Sequence, residues 1–329
     1  MIAKWDSSPL SRGRLGGGWF ISERNGEQPP SNSPLDKGGE SLHNLLLHAT
    51  RILGRSIPFL FLLLWTATAS AEPKRIVSIA PSFTEILYAL GAGPQVVGTT
   101  LYCDYPAEAS KTEKIGDVLN PNVEKIISLK PDIVFAGNWK WNVPEKLRAA
   151  GIQVVEVPDA QTLDDVFERF ILIAGRINRL PNGAQLIATM KRQMEEIQRR
   201  TAAKRQRTVY MEIDAGNWTV GGPSYLTEIL KILGLRNVFG ERKEPYLTVT
   251  MESVVARNPD LVMSLSRTKE EYQNLAAWSA LPAVREGKII DKNAIDWNAI
   301  THQGSRLIEG IKQLDFLLSK QSGAGAPLE

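Results

Sequence analysis

Thr84-Glu-Ile-Leu-Tyr-Ala-Leu-Gly91 returns later in the chain as Thr227-Glu-Ile-Leu-Lys-Ile-Leu-Gly234, six identical residues at the same internal spacing. A second motif follows each copy in the same order, first Glu124-x6-Pro131-Asp-Ile-Val134 and then Glu252-x6-Pro259-Asp-Leu-Val262. Self-similarity of this kind marks one structural unit used twice. Upstream of the first copy, Arg75-Ile-Val-Ser-Ile-Ala80 is short and β-rich, and Pro81-Ser82 with Glu85 reads as a capping box opening a helix that ends at Gly91. In the second copy Thr208-Val-Tyr-Met-Glu-Ile213 is the strand, and Gly222-Pro223-Ser224 precedes the helix. The later motif reads as a helix leading through Pro-Asp into a buried strand, Ile133-Val-Phe-Ala136 or Leu261-Val-Met-Ser264. Strands alternating with helices predict a parallel sheet in each copy.

Between the copies, Thr162-x-x-Asp165 caps a helix that continues to about Ile177, and Pro181 begins another that runs to about Ala203 with no glycine after Gly183. At 1.5 Å rise per residue the second helix spans about 34 Å. The expected fold is α/β: two Rossmann-like lobes with parallel sheets, residues 72–180 and 205–321, joined by one long backbone helix over 181–204 and ending in a tail at 322–329. Such a helix sets the lobes face to face across a cleft and resists large hinge motion.

The segment before residue 72 reads differently. Residues 1–50 are largely Gly/Ser/Pro/Asn-rich without apolar period, and are expected to be disordered or a spurious extension. Then come a basic flank, Arg51 to Arg55, the apolar run from Ile57 to Trp65, and small residues leading to Ala69 and Ala71. These are the three parts of a secretory signal at 51–71, cleaved after Ala71, and they predict a periplasmic mature chain. Seven Lys/Arg and five Asp/Glu lie in the first 71 residues, which leaves 32 against 31 for the remainder and gives no electrostatic case for a nucleic-acid partner. A monomer is expected.

In open α/β sheets ligands bind beyond the carboxyl ends of the strands, so the loops there carry the candidates. They hold Tyr102, Asp104, Tyr105, Trp139, Trp141, Trp218, Tyr246, Asp296 and Trp297. Aromatic walls with a few polar groups suit a bulky, partly apolar ligand. The single Cys103 reads as a small buried hydrophobe, since a nucleophile would want a histidine base and only His302 is available. His302, the one histidine outside the leading segment, reads as a surface or loop residue. One imidazole is too few for a transition-metal site, so no metal and no catalytic set are expected. Glu124 and Glu252 hold equivalent helix-start positions. The macrodipole alone favours acids there, while one acid per lobe also matches a two-fold partner offering a cation at each position.

These motifs together resemble the periplasmic cobalamin-binding proteins of ABC importers, within the helical-backbone, class III substrate-binding proteins for corrinoids, haem and iron-siderophores. The resemblance covers nearly all of 72–329 and is carried by Ser78-Ile-Ala-Pro-Ser-x-Thr-Glu85, Asp104-Tyr-Pro106, Asn122 through Asp132, and Asp296-Trp297. It implies a corrinoid ligand rather than a cofactor, held by Tyr102, Trp218, Tyr246 and the Asp296-Trp297 pair. It also implies docking of Glu124 and Glu252 on arginines of an ABC permease dimer. The chain departs from the family pattern at Val118 and Gly137, where tryptophans are expected, and in the loop after Trp297, which is two residues longer and lacks an expected arginine. Iron-siderophore or haem on the same scaffold, and less readily an exported enzyme, remain as alternatives.

Overall fold

The computed structural model describes residues 72–137, 142–202 and 206–321. The leading segments at 1–50 and 51–71, the tail at 322–329, and Trp139 and Trp141 lie outside the described residues. The first lobe runs β1 (Ile76–Ser78), α1 (Pro81–Ala89), β2 (Val96–Thr99), α2 (Val123–Ser128), β3 (Ile133–Gly137), α3 (Val143–Ala149) and β4 (Gln153–Val157). Helices α4 (Leu163–Arg176) and α5 (Leu180–Ala202) follow. The second lobe runs β5 (Arg207–Asp214), β6 (Trp218–Val220), α6 (Tyr225–Ile232), β7 (Leu235–Asn237), β8 (Tyr246–Thr248), α7 (Met251–Arg257), β9 (Leu261–Ser264), α8 (Lys269–Asn274), α9 (Pro282–Arg285), β10 (Ile289–Ile290), α10 (Asn298–Thr301) and α11 (Leu307–Gln321).

The first sheet has the order β2-β1-β3-β4, all parallel. The second lobe repeats it as β7-β5-β9-β10, also parallel. One addition makes the second sheet mixed, which corrects the all-parallel expectation. Strand β5 pairs with β7 through residues 207–209, and its far end, Glu212 and Asp214, pairs antiparallel with β6, which β8 extends. The reversal after Asp214 uses Gly216 at φ 90° and Asn217 at φ 60°, residue types that tolerate left-handed backbone. A loop this short can join only antiparallel strands.

The repeated motifs have repeated jobs. Thr84 donates its hydroxyl to Ser78 Oγ at 2.8 Å and Thr227 donates to the Gly221 carbonyl at 2.6 Å, each tying the helix start to the segment before it. Ile86 and Leu87, like Ile229 and Leu230, enter the core, and Gly91 and Gly234 close their helices at φ 78° and 70°. Asp132 accepts the backbone N–H groups of Lys74 and Arg75, and Asp260 accepts that of Thr208, so each Pro-Asp pair ties down the amino end of a central strand. The capping box expected from Ser82 and Glu85 does not form. Ala80 is the N-cap with no side-chain bond, because Glu85 turns toward the second lobe. The box at Thr162 and Asp165 does form.

The 23-residue α5 buries Met190, Met194 and Ile197 at helical spacing. They belong to one apolar core that also holds Phe83 of α1, Phe170 of α4, Leu230 of α6 and Leu314 of α11. Fully burying each such side chain contributes about 1.5–3 kcal/mol. A core continuous through both lobes gives a physical reason for the lobes to stay fixed.

Candidate functional site

The loop after β2 alternates what it buries and what it presents. Cys103 is buried, in contact with the hydroxyls of Thr84 and Thr100 at 3.1 and 3.2 Å, while Lys114 holds the Cys103 carbonyl at 2.9 Å. Pinned there, the loop exposes Asp104 and Tyr105 and leaves Tyr102 60% exposed. In the second lobe, the β5–β6 hairpin carries Trp218 with part of its surface open. Tyr246 lies deeper, between the lobes, near Ser224 and Arg169. Burial raises the hydroxyl pKa of both Tyr105 and Tyr246, so each is a neutral group at physiological pH.

The Asp296-Trp297 pair is split. Trp297 is only 7% exposed, its indole N–H donates to the Asp291 carbonyl at 2.9 Å, and its ring joins the shared core. Asp296 stays exposed but both oxygens are engaged, one with the Asn298 N–H at 3.0 Å and the other with Arg306 Nη1 at 2.5 Å.

Arg306 is the residue the sequence reading missed. The arginine expected soon after Trp297 arrives from just before α11, and its guanidinium bridges three residues. It holds Asp296, donates from Nη2 to Glu85 Oε1 at 3.1 Å, and lies 4.3 Å from the centre of the Tyr105 ring. Burial works against the Arg306 charge, but Glu85 and Asp296 outweigh it and raise the pKa above its ordinary value. His302 is not a free loop residue: its Nδ1 lies 3.0 Å from the same Glu85 oxygen. A Cβ at Gly304 would sit 2.2 Å from the other Glu85 oxygen, which is why glycine stands there. The one signal in the sequence is the acid itself, present in both copies of the motif as Glu85 and Glu228.

The second copy of the motif answers in the opposite direction. Glu228 accepts the Leu163 N–H at 2.8 Å, and the Tyr225 N–H donates to the Gln161 carbonyl. Arg169, buried, donates from Nη1 to Gln303 at 2.5 Å and from Nε to the Pro158 carbonyl at 2.7 Å. Each Thr-Glu pair therefore ties its helix to its own strand and its acid to the opposite lobe. The junction is a pseudo-two-fold contact between the two copies, with Tyr105 against Arg306 and Tyr246 beside Arg169.

Glu124 and Glu252 are exposed in the first turns of α2 and α7. Backbone N–H groups at the helix start, with Thr250, hold the Glu252 carboxyl below the usual range. A cavity of about 500 Å³ lined by Lys74, Asp132, Gln153 and Arg176 opens at the amino ends of β1, β3 and β4, away from all of these residues.

Residues 76–294 match the family described as periplasmic binding protein. The ABC transporter substrate-binding lipoprotein YvrC of Bacillus subtilis, itself uncharacterised, is 35% identical over 257 residues, 75% of this chain and 80% of its own. A vitamin B12-binding protein of Photorhabdus laumondii is 30% identical over 223 residues, 66% of this chain and 79% of its own. The crystal structure of a possible iron-binding, periplasmic solute-binding protein of Staphylococcus epidermidis superposes with a TM-score of 0.67 at 29% identity, over 74% of this chain and 98% of that one. The match takes in both lobes and the helix between them, and the chain belongs to the periplasmic binding protein family, whose members deliver a captured solute to an ABC permease.

Proposed function

We propose that this chain captures a corrinoid, of the cobalamin type, between its lobes and hands it to the permease dimer of an ABC importer. Export with cleavage after Ala71 belongs to the same reading. The observation that carries it is a set of incompletely buried aromatics in both lobes: Tyr105, against Arg306, with Tyr102 in the same loop of the first lobe, and Tyr246, beside Arg169, with Trp218 on the paired strand of the second. Flat conjugated ligands gain from such walls, each aromatic contact adding about 0.5–1.5 kcal/mol beyond area burial. Relatives named for vitamin B12 binding support the corrinoid. The Staphylococcus epidermidis protein, named for possible iron binding, supports a second reading, iron in a siderophore or haem.

Calorimetric titration with cyanocobalamin tests the cleft. Trp218→Ala and Tyr246→Ala should each weaken binding, and the double variant should lose roughly five- to a hundredfold if the two contributions add. An unchanged affinity in the double variant places the ligand elsewhere.

A further inference from the structure

We propose that Arg267 is an oxyanion anchor of the ligand site, gripping a phosphodiester or carboxylate carried on the periphery of the bound macrocycle; this rests on the ligand-capture reading above. Arg267 lies in the loop leaving the carboxyl end of β9. That loop is knit to the one bearing Asp296 and Trp297. The Lys292 N–H donates to the Arg267 carbonyl at 3.1 Å, the Lys269 N–H donates to the Asp291 carboxylate at 3.0 Å, and the Asp291 carbonyl accepts the Trp297 indole. On the other side, the Leu265 N–H donates to the Glu212 carbonyl at 2.9 Å, next to the hairpin that presents Trp218. Arg267 therefore stands between two loops of the candidate site, at the strand ends where ligands of open α/β sheets bind.

The guanidinium is held from behind and open in front. Its Nε lies 3.5 Å from Oε2 of Glu212, a carboxylate with no exposed surface. The same oxygen accepts the Tyr272 hydroxyl at 2.5 Å, Ser264 Oγ at 3.1 Å and Ser266 Oγ at 3.2 Å. The Tyr272 ring centre lies 5.7 Å from the guanidinium carbon. A buried carboxylate needs a cation as well as hydrogen bonds, and Arg267 supplies one while committing only Nε. Among the described residues no acceptor engages Nη1 or Nη2, and the Arg267 side chain keeps 19% of its surface exposed. Those two nitrogens form the planar fork that takes an oxyanion by two parallel bonds. With Glu212 fixing the stem, little conformational freedom is left to lose when a ligand oxyanion arrives.

The test measures affinities of wild type and Arg267→Gln for two matched pairs of probes. Cyanocobalamin carries a phosphodiester that dicyanocobinamide lacks, and haem carries carboxylates that its dimethyl ester lacks. Arg267→Gln should weaken the anionic member of the pair that wild type binds by roughly ten- to a hundredfold, the effect of losing a charged hydrogen-bonded contact. The partner without the anion should be unaffected. Because the single variant leaves Glu212 buried without its cation, Glu212→Gln/Arg267→Gln is measured beside it with a melting curve, and the same selective loss is expected. Equal losses for both members of the pair, or no loss for either, overturn the assignment. Wild type binding the haem pair alone sinks the corrinoid reading and leaves Arg267 to be judged on haem. Binding of none of the four overturns both.

Discussion

Glu85→Ala is expected to lower the melting temperature by roughly 6–20 °C, corresponding to about 3–5 kcal/mol for removing one member of a buried ion pair. Glu85 is 2% exposed and sits in the first lobe, yet its partners are His302 and Arg306 of the second, with Ser305 donating to its carbonyl. Truncation leaves the buried Arg306 guanidinium, which lies over the Tyr105 ring, with Asp296 as its one remaining carboxylate partner. Glu228→Ala, which surrenders a single backbone N–H, should cost less, about 1–3 kcal/mol. The pair Glu85→Leu/Arg306→Leu should recover much of the loss, because removing both charges removes the desolvation cost with the attraction. Urea unfolding of Glu85→Leu, Arg306→Leu and the double gives the coupling energy directly. A Glu85→Ala variant within about 1 kcal/mol of wild type, in the range of an exposed pair, would show that the junction does not rest on this contact.

Charge reversal at both helix-start acids, Glu124→Lys with Glu252→Lys, is expected to leave ligand affinity intact and to abolish or strongly reduce uptake, with each single variant intermediate. The two acids hold matching places in the two copies and are exposed, whereas the aromatic loops do not match between copies. An asymmetric ligand gives its contacts reason to differ between lobes. A shared exposed acid fits a partner with two equivalent halves. Single exposed pairs contribute only about 0–1 kcal/mol, but charges at an interface set register and speed encounter. The competing explanation is local, since backbone N–H groups and Thr250 already stabilise the Glu252 carboxylate. Normal import by the double variant in reconstituted vesicles leaves that local explanation standing.

The repeat made most of the fold legible. Thr-Glu-Ile-Leu-x-x-Leu-Gly specifies a tie to the preceding segment, a core face and a left-handed helix end, all local devices readable from residue type and spacing, whereas the aspartate of each Pro-Asp pair reaches back to the start of an earlier strand. The β6–β8 addition was not read in advance, although Gly216-Asn217 marks a tight reversal between β-rich runs. Long-range partners were the least legible. Glu85 follows a serine at capping-box spacing, and nothing local distinguishes an acid that caps its own helix from one that crosses to residues 302–306. Trp297 was expected at the ligand surface because it sits in a loop, but its indole N–H found the Asp291 carbonyl and its ring found the core. Arg306 lies beyond the loop where an arginine was sought, and only the packing of α11 brings it back to Asp296.

The most direct test of ligand capture is the absorption spectrum of the protein repurified after incubation with cyanocobalamin, haem and ferric siderophores in turn. Retention of the corrinoid bands at one equivalent per chain, with haem and siderophores lost on repurification, is the predicted result. Protein that emerges without corrinoid while holding haem or a ferric siderophore would contradict it.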